Sequence, residues 1–157
     1  MSKRKILQVN RQDTGGPATI ARQLHFGYQR QGWQSAMVVA HKRGDRAEFQ
    51  KLDPKIGQHR WAQWWSGIAE QLAPLERQGR QVTRFRHLTE YIGQPKRLYE
   101  KLVGHEEFDF PATWRLLEGV PLRPDILHLH NLHGHYFDLR ALPWLSRQLP
   151  VVLTPHD

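Results

Sequence analysis

Cysteine is absent from the 157 residues. That excludes a disulfide framework and any thiolate metal site, and it makes the cytoplasm the expected compartment. No apolar run approaches the 18 or so residues needed to span a bilayer. The opening MSKRKILQVN carries basic residues, but its apolar run is too short for a secretory leader. No internal repeat or low-complexity tract occurs. The fingerprint G-x-G-x-x-G is missing, so nothing supports a nicotinamide or flavin enzyme. Nucleic-acid motifs are missing too. The formal net charge of +8 is scattered rather than gathered into an arm, so no nucleic-acid partner is expected. A basic surface of this kind attracts anionic lipids or phosphorylated small molecules, or is simply solvated.

What is present reads as one α/β domain spanning residues 1–157. Lys5–Val9 is short, apolar and followed by turn residues, as a buried strand is. Gly15 and Gly16 mark a tight turn, and Pro17 suits the first helical position. Ile20, Leu24 and Tyr28 then recur at helical spacing up to Gly32. Ser35–Ala40 is a second strand, which completes a βαβ unit and implies a parallel sheet. Residues 42–57 read as a long loop. Trp61, Trp64, Trp65, Ile68 and Leu72 fall at helical spacing. Residues 79–121 give few signals beyond a short helix near Lys96–Val103, and HEEFDFPATW reads as loop. Asp125–His130 and Val151–Thr154 are two further strands, separated by a helix starting near Leu142. The chain halts just after a strand, at His156-Asp157, where the next helix is expected.

Three features carry chemistry. Gly15 and Gly16 lack Cβ atoms, so backbone N–H groups at a helix start could approach a phosphate; a plain tight turn is the other reading. His128, His130, His133 and His135 crowd into HLHNLHGHY. Imidazoles bind zinc, but no Cys or clear carboxylate completes a set, so no metal is expected. A polar cluster at a strand's C-terminal end, where α/β active sites gather, fits better. His156 sits at a second such strand end, where it could position a hydroxyl. Asp157 could orient it, or the pair could cap the next helix. The Trp61–Trp64–Trp65 stripe, with Arg60 beside it and Arg77, Arg80, Arg84 and Arg86 after it, is either core or an interfacial helix touching anionic lipid.

Two stretches resemble a known family. ILQVNRQDTGGPATIARQLHFGYQRQGWQSAMVVAHK resembles the opening βαβ unit of family 4 glycosyltransferases with the two-Rossmann GT-B fold. PDILHLHNLHGHYFDLRALPWLSRQLPVVLTPHD resembles the members that build bacterial exopolysaccharide and lipopolysaccharide. The resemblance implies the N-terminal, acceptor-side half of a GT-B fold. It also implies retaining transfer of a sugar from a nucleotide-sugar to a saccharide or lipid-linked acceptor. By the same resemblance Gly15 and Gly16 lie near the donor diphosphate, and His156 lies near the transferred sugar and is catalytic. His128, His130, Asn131 and Asp157 line the acceptor cleft. No cofactor is implied beyond the donor, and no metal. The family's donor-gripping C-terminal domain is not in these residues, so this chain alone should turn nothing over. The alternatives are a non-catalytic module that binds a glycan or a partner, and the remnant of a truncated gene. The expected location is cytoplasmic, with peripheral contact at the inner membrane face if the interfacial reading of the Trp stripe holds.

Overall fold

The computed structural model describes residues 3–74, 80–105, 107–120 and 122–156, with backbone alone at 80–84, 86 and 87. It is a mixed α/β, Rossmann-like fold around one all-parallel sheet. The strands are β1 (Lys5–Gln12), β2 (Gln34–His41), β3 (Phe49–Lys51), β4 (Ile126–His130) and β5 (Val151–Thr154), in the order β3-β2-β1-β4-β5. Parallel neighbours need crossovers. Helix α1 (Gly16–Arg30) joins β1 to β2, and α6 (Leu142–Gln148), entered through a 3-10 turn at Leu139–Ala141, joins β4 to β5. Between β3 and β4 the chain inserts α2 (Arg60–Leu72), α3 (Arg80–Gly93), α4 (Pro95–Leu102) and the single turn α5 (Pro111–Trp114).

The two faces of the sheet differ in chemistry because strand side chains alternate. Leu7 and Val9 of β1 pair in register with Leu127 and Leu129 of β4. These four are buried together with Val38, Leu116, Phe137 and Leu145. The opposite face carries Gln8 and Asn10 of β1 and His128 and His130 of β4, all buried. Near β2 that second face turns apolar, where Met37, Val39 and Phe49 receive Ala18 of α1.

Four of the strands lie where the sequence predicts them, and four details differ. The long loop expected at 42–57 contains β3. That strand is three residues long with one buried side chain, Phe49, too little to show a period. Second, α1 buries Ala18, Ala21 and His25 rather than the Ile20–Leu24–Tyr28 stripe, and Ile20 is 42% exposed. Close packing of the helix on the sheet selects the small side chains. Third, α3 and α5 occupy stretches read as unassigned or loop. The apolar positions Phe85, Leu88 and Ile92 of α3 face outward, while Thr89 and Gly93 are buried. Strand β5 is less buried than its apolar sequence implies, since Val152 and Leu153 are about half exposed.

Truncation separates the core from the face that only looks like core. Leu129→Ala should lower unfolding free energy by about 2–5 kcal/mol, the range for a fully buried leucine. Ile20→Ala should cost less than about 1 kcal/mol. Urea denaturation followed by circular dichroism reads both, and a larger loss at Ile20 would contradict the helix facing described above.

Candidate site at the C-terminal edge of the sheet

Parallel strands bring their C-terminal ends to one edge. The sheet also reverses its winding between β1 and β4, because β1 leads outward to β2 while β4 returns on its other side. In open α/β sheets the crevice at such a reversal is where ligands bind. The turn after β1 holds Gly15 and Gly16, and the turn after β4 starts at Asn131. The turn after β5 holds His156. Three separated segments predicted to carry chemistry therefore share one edge.

The histidines form a chain of rings. His128 and His130 have centroids 4.0 Å apart, and His130 and His156 stack at 5.4 Å. His130 is fully buried. Its Nε2 lies 3.2 Å from Gln8 Oε1, and its Nδ1 lies 3.1 Å from His156 Nε2. Gln8 Nε2 donates to Ser35 Oγ at 3.4 Å, which leaves its Oε1 as the acceptor facing His130. A neutral His130 then carries its proton on Nε2. Its bare Nδ1 accepts from His156 Nε2–H. A neutral His156 is thereby held as the Nε2–H tautomer, and its Nδ1 is left as a hydrogen-bond acceptor. The His156 backbone N–H also donates to Asn131 Oδ1 at 3.4 Å. His128 meets Thr154 Oγ1 at 2.8 Å through Nε2 and Tyr28 OH at 3.4 Å through Nδ1.

Electrostatics agree with a neutral centre. Burial, reinforced by His128 and His156, pushes the His130 pKa down to about 3. Burial lowers His128 as well, with His156 adding to the effect. Among the described residues no group of three or more His, Asp or Glu is arranged to hold a metal ion. The imidazoles are spent on one another and on Gln8, Thr154 and Tyr28.

The β1–α1 turn divides its two glycines by role. Gly15 sits at φ 90°, a backbone conformation in which any side chain is strained. Gly16 has ordinary φ, and a Cβ there would meet nothing within 4 Å. The fold requires the first glycine and not the second. The turn is braced by Asp13, a buried residue unmarked in the sequence reading. Its carboxylate accepts the backbone N–H groups of Arg43 at 2.9 Å and Gly44 at 2.8 Å. Burial alone would raise its pKa, but those two donors, with its own backbone N–H and the Lys42 charge, outweigh it and hold the carboxyl below the usual range.

The loop after β4 is also braced. Asn131, Gly134 and His135 all have positive φ. Glycine suits position 134 because its φ of 108° strains any side chain, and a Cβ there would also displace the Arg11 side chain. The Glu107 carboxylate accepts the N–H groups of Gly134 at 2.7 Å and His135 at 3.1 Å. Tyr136 OH donates to the carbonyls of His130 and Asn131 at 3.2 and 3.0 Å. His133 and His135 stay exposed on this loop, so only half of the HLHNLHGHY histidines enter the cluster. Asp157, expected to orient His156, lies outside the described residues, as does Arg77. Beside the cluster, a cavity of about 360 Å³ opens between the ends of β2 and β3 and the helical insertion. Its walls include His41, Leu52, Arg97, Phe110 and Tyr136.

Gln8, Asn10, Tyr28, Thr154 and Glu107 were missed in the sequence. The signal for the first two was there. In KILQVNRQ the polar residues Gln8 and Asn10 alternate with apolar ones, as His128 and His130 do in ILHLH. Comparison of the chain with family models, with curated proteins and with solved structures finds no match.

The buried neutral histidine fixes a pH dependence. An unfolded histidine takes up a proton near pH 6.5, whereas folded His130 refuses one until about pH 3. Between those values the unfolded chain binds more protons, so stability is full above about pH 6.5 and falls as the pH drops. Going from pH 7.5 to 5.5 should cost roughly 1 kcal/mol from His130, above the range in which carboxylates titrate. Urea melts at the two pH values measure this. His130→Gln should flatten the difference, and an unchanged slope would mean that His130 is not buried neutral.

Proposed function

We propose that this chain is the acceptor-side Rossmann-like domain of a retaining GT-B glycosyltransferase, acting in cell-surface polysaccharide synthesis. The observation that carries the reading is the meeting of the glycine turn, the β4 histidines and His156 at the edge where the sheet reverses its winding. Nucleotide-sugar chemistry calls for these parts together. A glycine turn opening a helix offers N–H groups and a partial positive charge to a leaving diphosphate. An imidazole beside the sugar, fixed in one tautomer, offers a defined acceptor to a ring hydroxyl. His156 Nδ1 has that character, with His130 as its positioning residue. Gly16, a glycine that the fold does not require, fits a place where a ligand comes close. The cavity beside Tyr136 would take part of a glycan or lipid-linked acceptor. The cytoplasm, where nucleotide-sugars are made, is the matching location. A second Rossmann-like domain would grip the donor nucleotide, and no metal is needed if that domain neutralises the diphosphate.

The test uses the chain together with whatever its gene encodes beyond residue 157. That protein is incubated with a panel of labelled nucleotide-sugars and a membrane extract, and transfer is followed by mass spectrometry. Transfer with retention is expected, and residues 1–157 alone should transfer nothing. His156→Ala should lower turnover about 100-fold or more, the scale for removing a positioned group. Gly16→Val should weaken donor use while leaving the melting temperature nearly unchanged, because its side chain meets open space. Full activity in His156→Ala would remove His156 from the site. Glycan binding without transfer in the longer protein would favour a binding module.

A further inference from the structure

The α2–α3 hairpin carries an apolar surface that no described residue covers. Its three tryptophans divide. Trp65 wedges against α3, where Gly93 passes so close that a Cβ there would strike the Cβ of Trp65. Trp61 and Trp64 stay 57% and 59% exposed. Trp61 Nε1 donates to the carbonyl of Ile92 at 3.1 Å, which joins the start of α2 to the end of α3 and sets the helices antiparallel. Trp64 lies beside Trp61, with ring centroids 6.2 Å apart. Across the join Phe85, Leu88 and Ile92 recur at i, i+3 and i+7, so they share one face of α3. Phe85 is 63% exposed and Leu88 51%. Exposed apolar side chains gathered on one helical hairpin in this way mark an interaction surface.

Composition selects the occupant. Tryptophan suits the boundary of a bilayer, where its apolar body enters the acyl region and its N–H stays among polar groups. Charge then separates a membrane from a second copy. Residues 60–103 hold eight Lys and Arg against four Glu, within a chain of net charge +8. Two such surfaces repel each other, whereas an anionic bilayer attracts them. We propose that the Trp61–Trp64–Phe85 face of the α2–α3 hairpin docks on an anionic lipid bilayer, with its rings at headgroup level. Docking of this kind is independent of glycosyl transfer, and either can fail without the other.

The test is sedimentation of the whole chain with vesicles of phosphatidylcholine alone and of phosphatidylcholine mixed equally with phosphatidylglycerol, at low and high salt. Binding is expected to the mixed vesicles at low salt and to weaken at high salt. Brominated lipid should quench the tryptophan fluorescence. Trp64→Ser with Phe85→Ser should weaken binding about tenfold or more with an unchanged circular dichroism spectrum. If that double variant does not fold, quenching of the unaltered chain decides. Absence of sedimentation with the mixed vesicles at low salt would overturn the proposal. Binding without quenching would also overturn it, since charge alone would account for that, as it would for any polyanion including DNA. So would a concentration-dependent dimer, seen by light scattering, that the same substitutions abolish in a chain that ignores lipid.

Discussion

Everything at the sheet edge depends on one constraint: the face of β1 and β4 beneath α1 is polar and buried, so its groups must be satisfied internally. A buried donor or acceptor left unpaired costs about 1–3 kcal/mol. The network that meets this demand runs from Gln29 through His25 to Ser35, on to Gln8, and through His130 to His156. Each member limits the next. Ser35 turns the Gln8 amide, Gln8 sets the tautomer of His130, and His130 sets which nitrogen His156 has left. A hydrophobic face would pack as well and hold α1 as firmly. It could not dictate the tautomer of a histidine two residues past a strand end.

The same constraint accounts for the face that α1 presents. Its helical stripe of Ile20, Leu24 and Tyr28 promised an apolar contact. Instead Ala18 brings the helix close where the sheet is apolar, near Met37 and Val39, while His25 and Tyr28 meet the polar part through Ser35 and His128. The helix follows the sheet's chemistry rather than its own hydropathy.

How much could be read beforehand follows from this. The four longer strands and the helices between them were legible because each is a short stretch rich in apolar residues bounded by turn signals. Parallel order then places Gly15, His130 and His156 on one edge. The partners of those residues were not legible. Gln8 and His130 are 122 positions apart, and no local pattern links them. Asp13 and Glu107 act on backbone N–H groups of Gly44 and Gly134, contacts that leave no mark on residue type except the glycines. Strand β3 was hidden by its length. Helix α3 does carry a helical period in Phe85, Leu88 and Ile92, but no period reports that this face turns to solvent.

Rigidity at this edge comes from carboxylates rather than from packing. Asp13 ties the turn after β1 to the loop after β2, and Glu107 ties the turn after β4 to the helical insertion. Each uses backbone N–H groups as donors, so each loop is held at its main chain and its side chains are left to do other things. Charged acceptors make hydrogen bonds about twice as strong as neutral ones, which suits loops that must stay open to solvent. The Gly15 turn and the Asn131–His135 turn therefore keep positive-φ conformations that would otherwise relax. A site built from strand ends needs such bracing, because the strands fix only where each loop begins. Here the sheet sets the positions of His130 and Thr154, the buried amide sets the proton on His130, and the two carboxylates hold the loops around them.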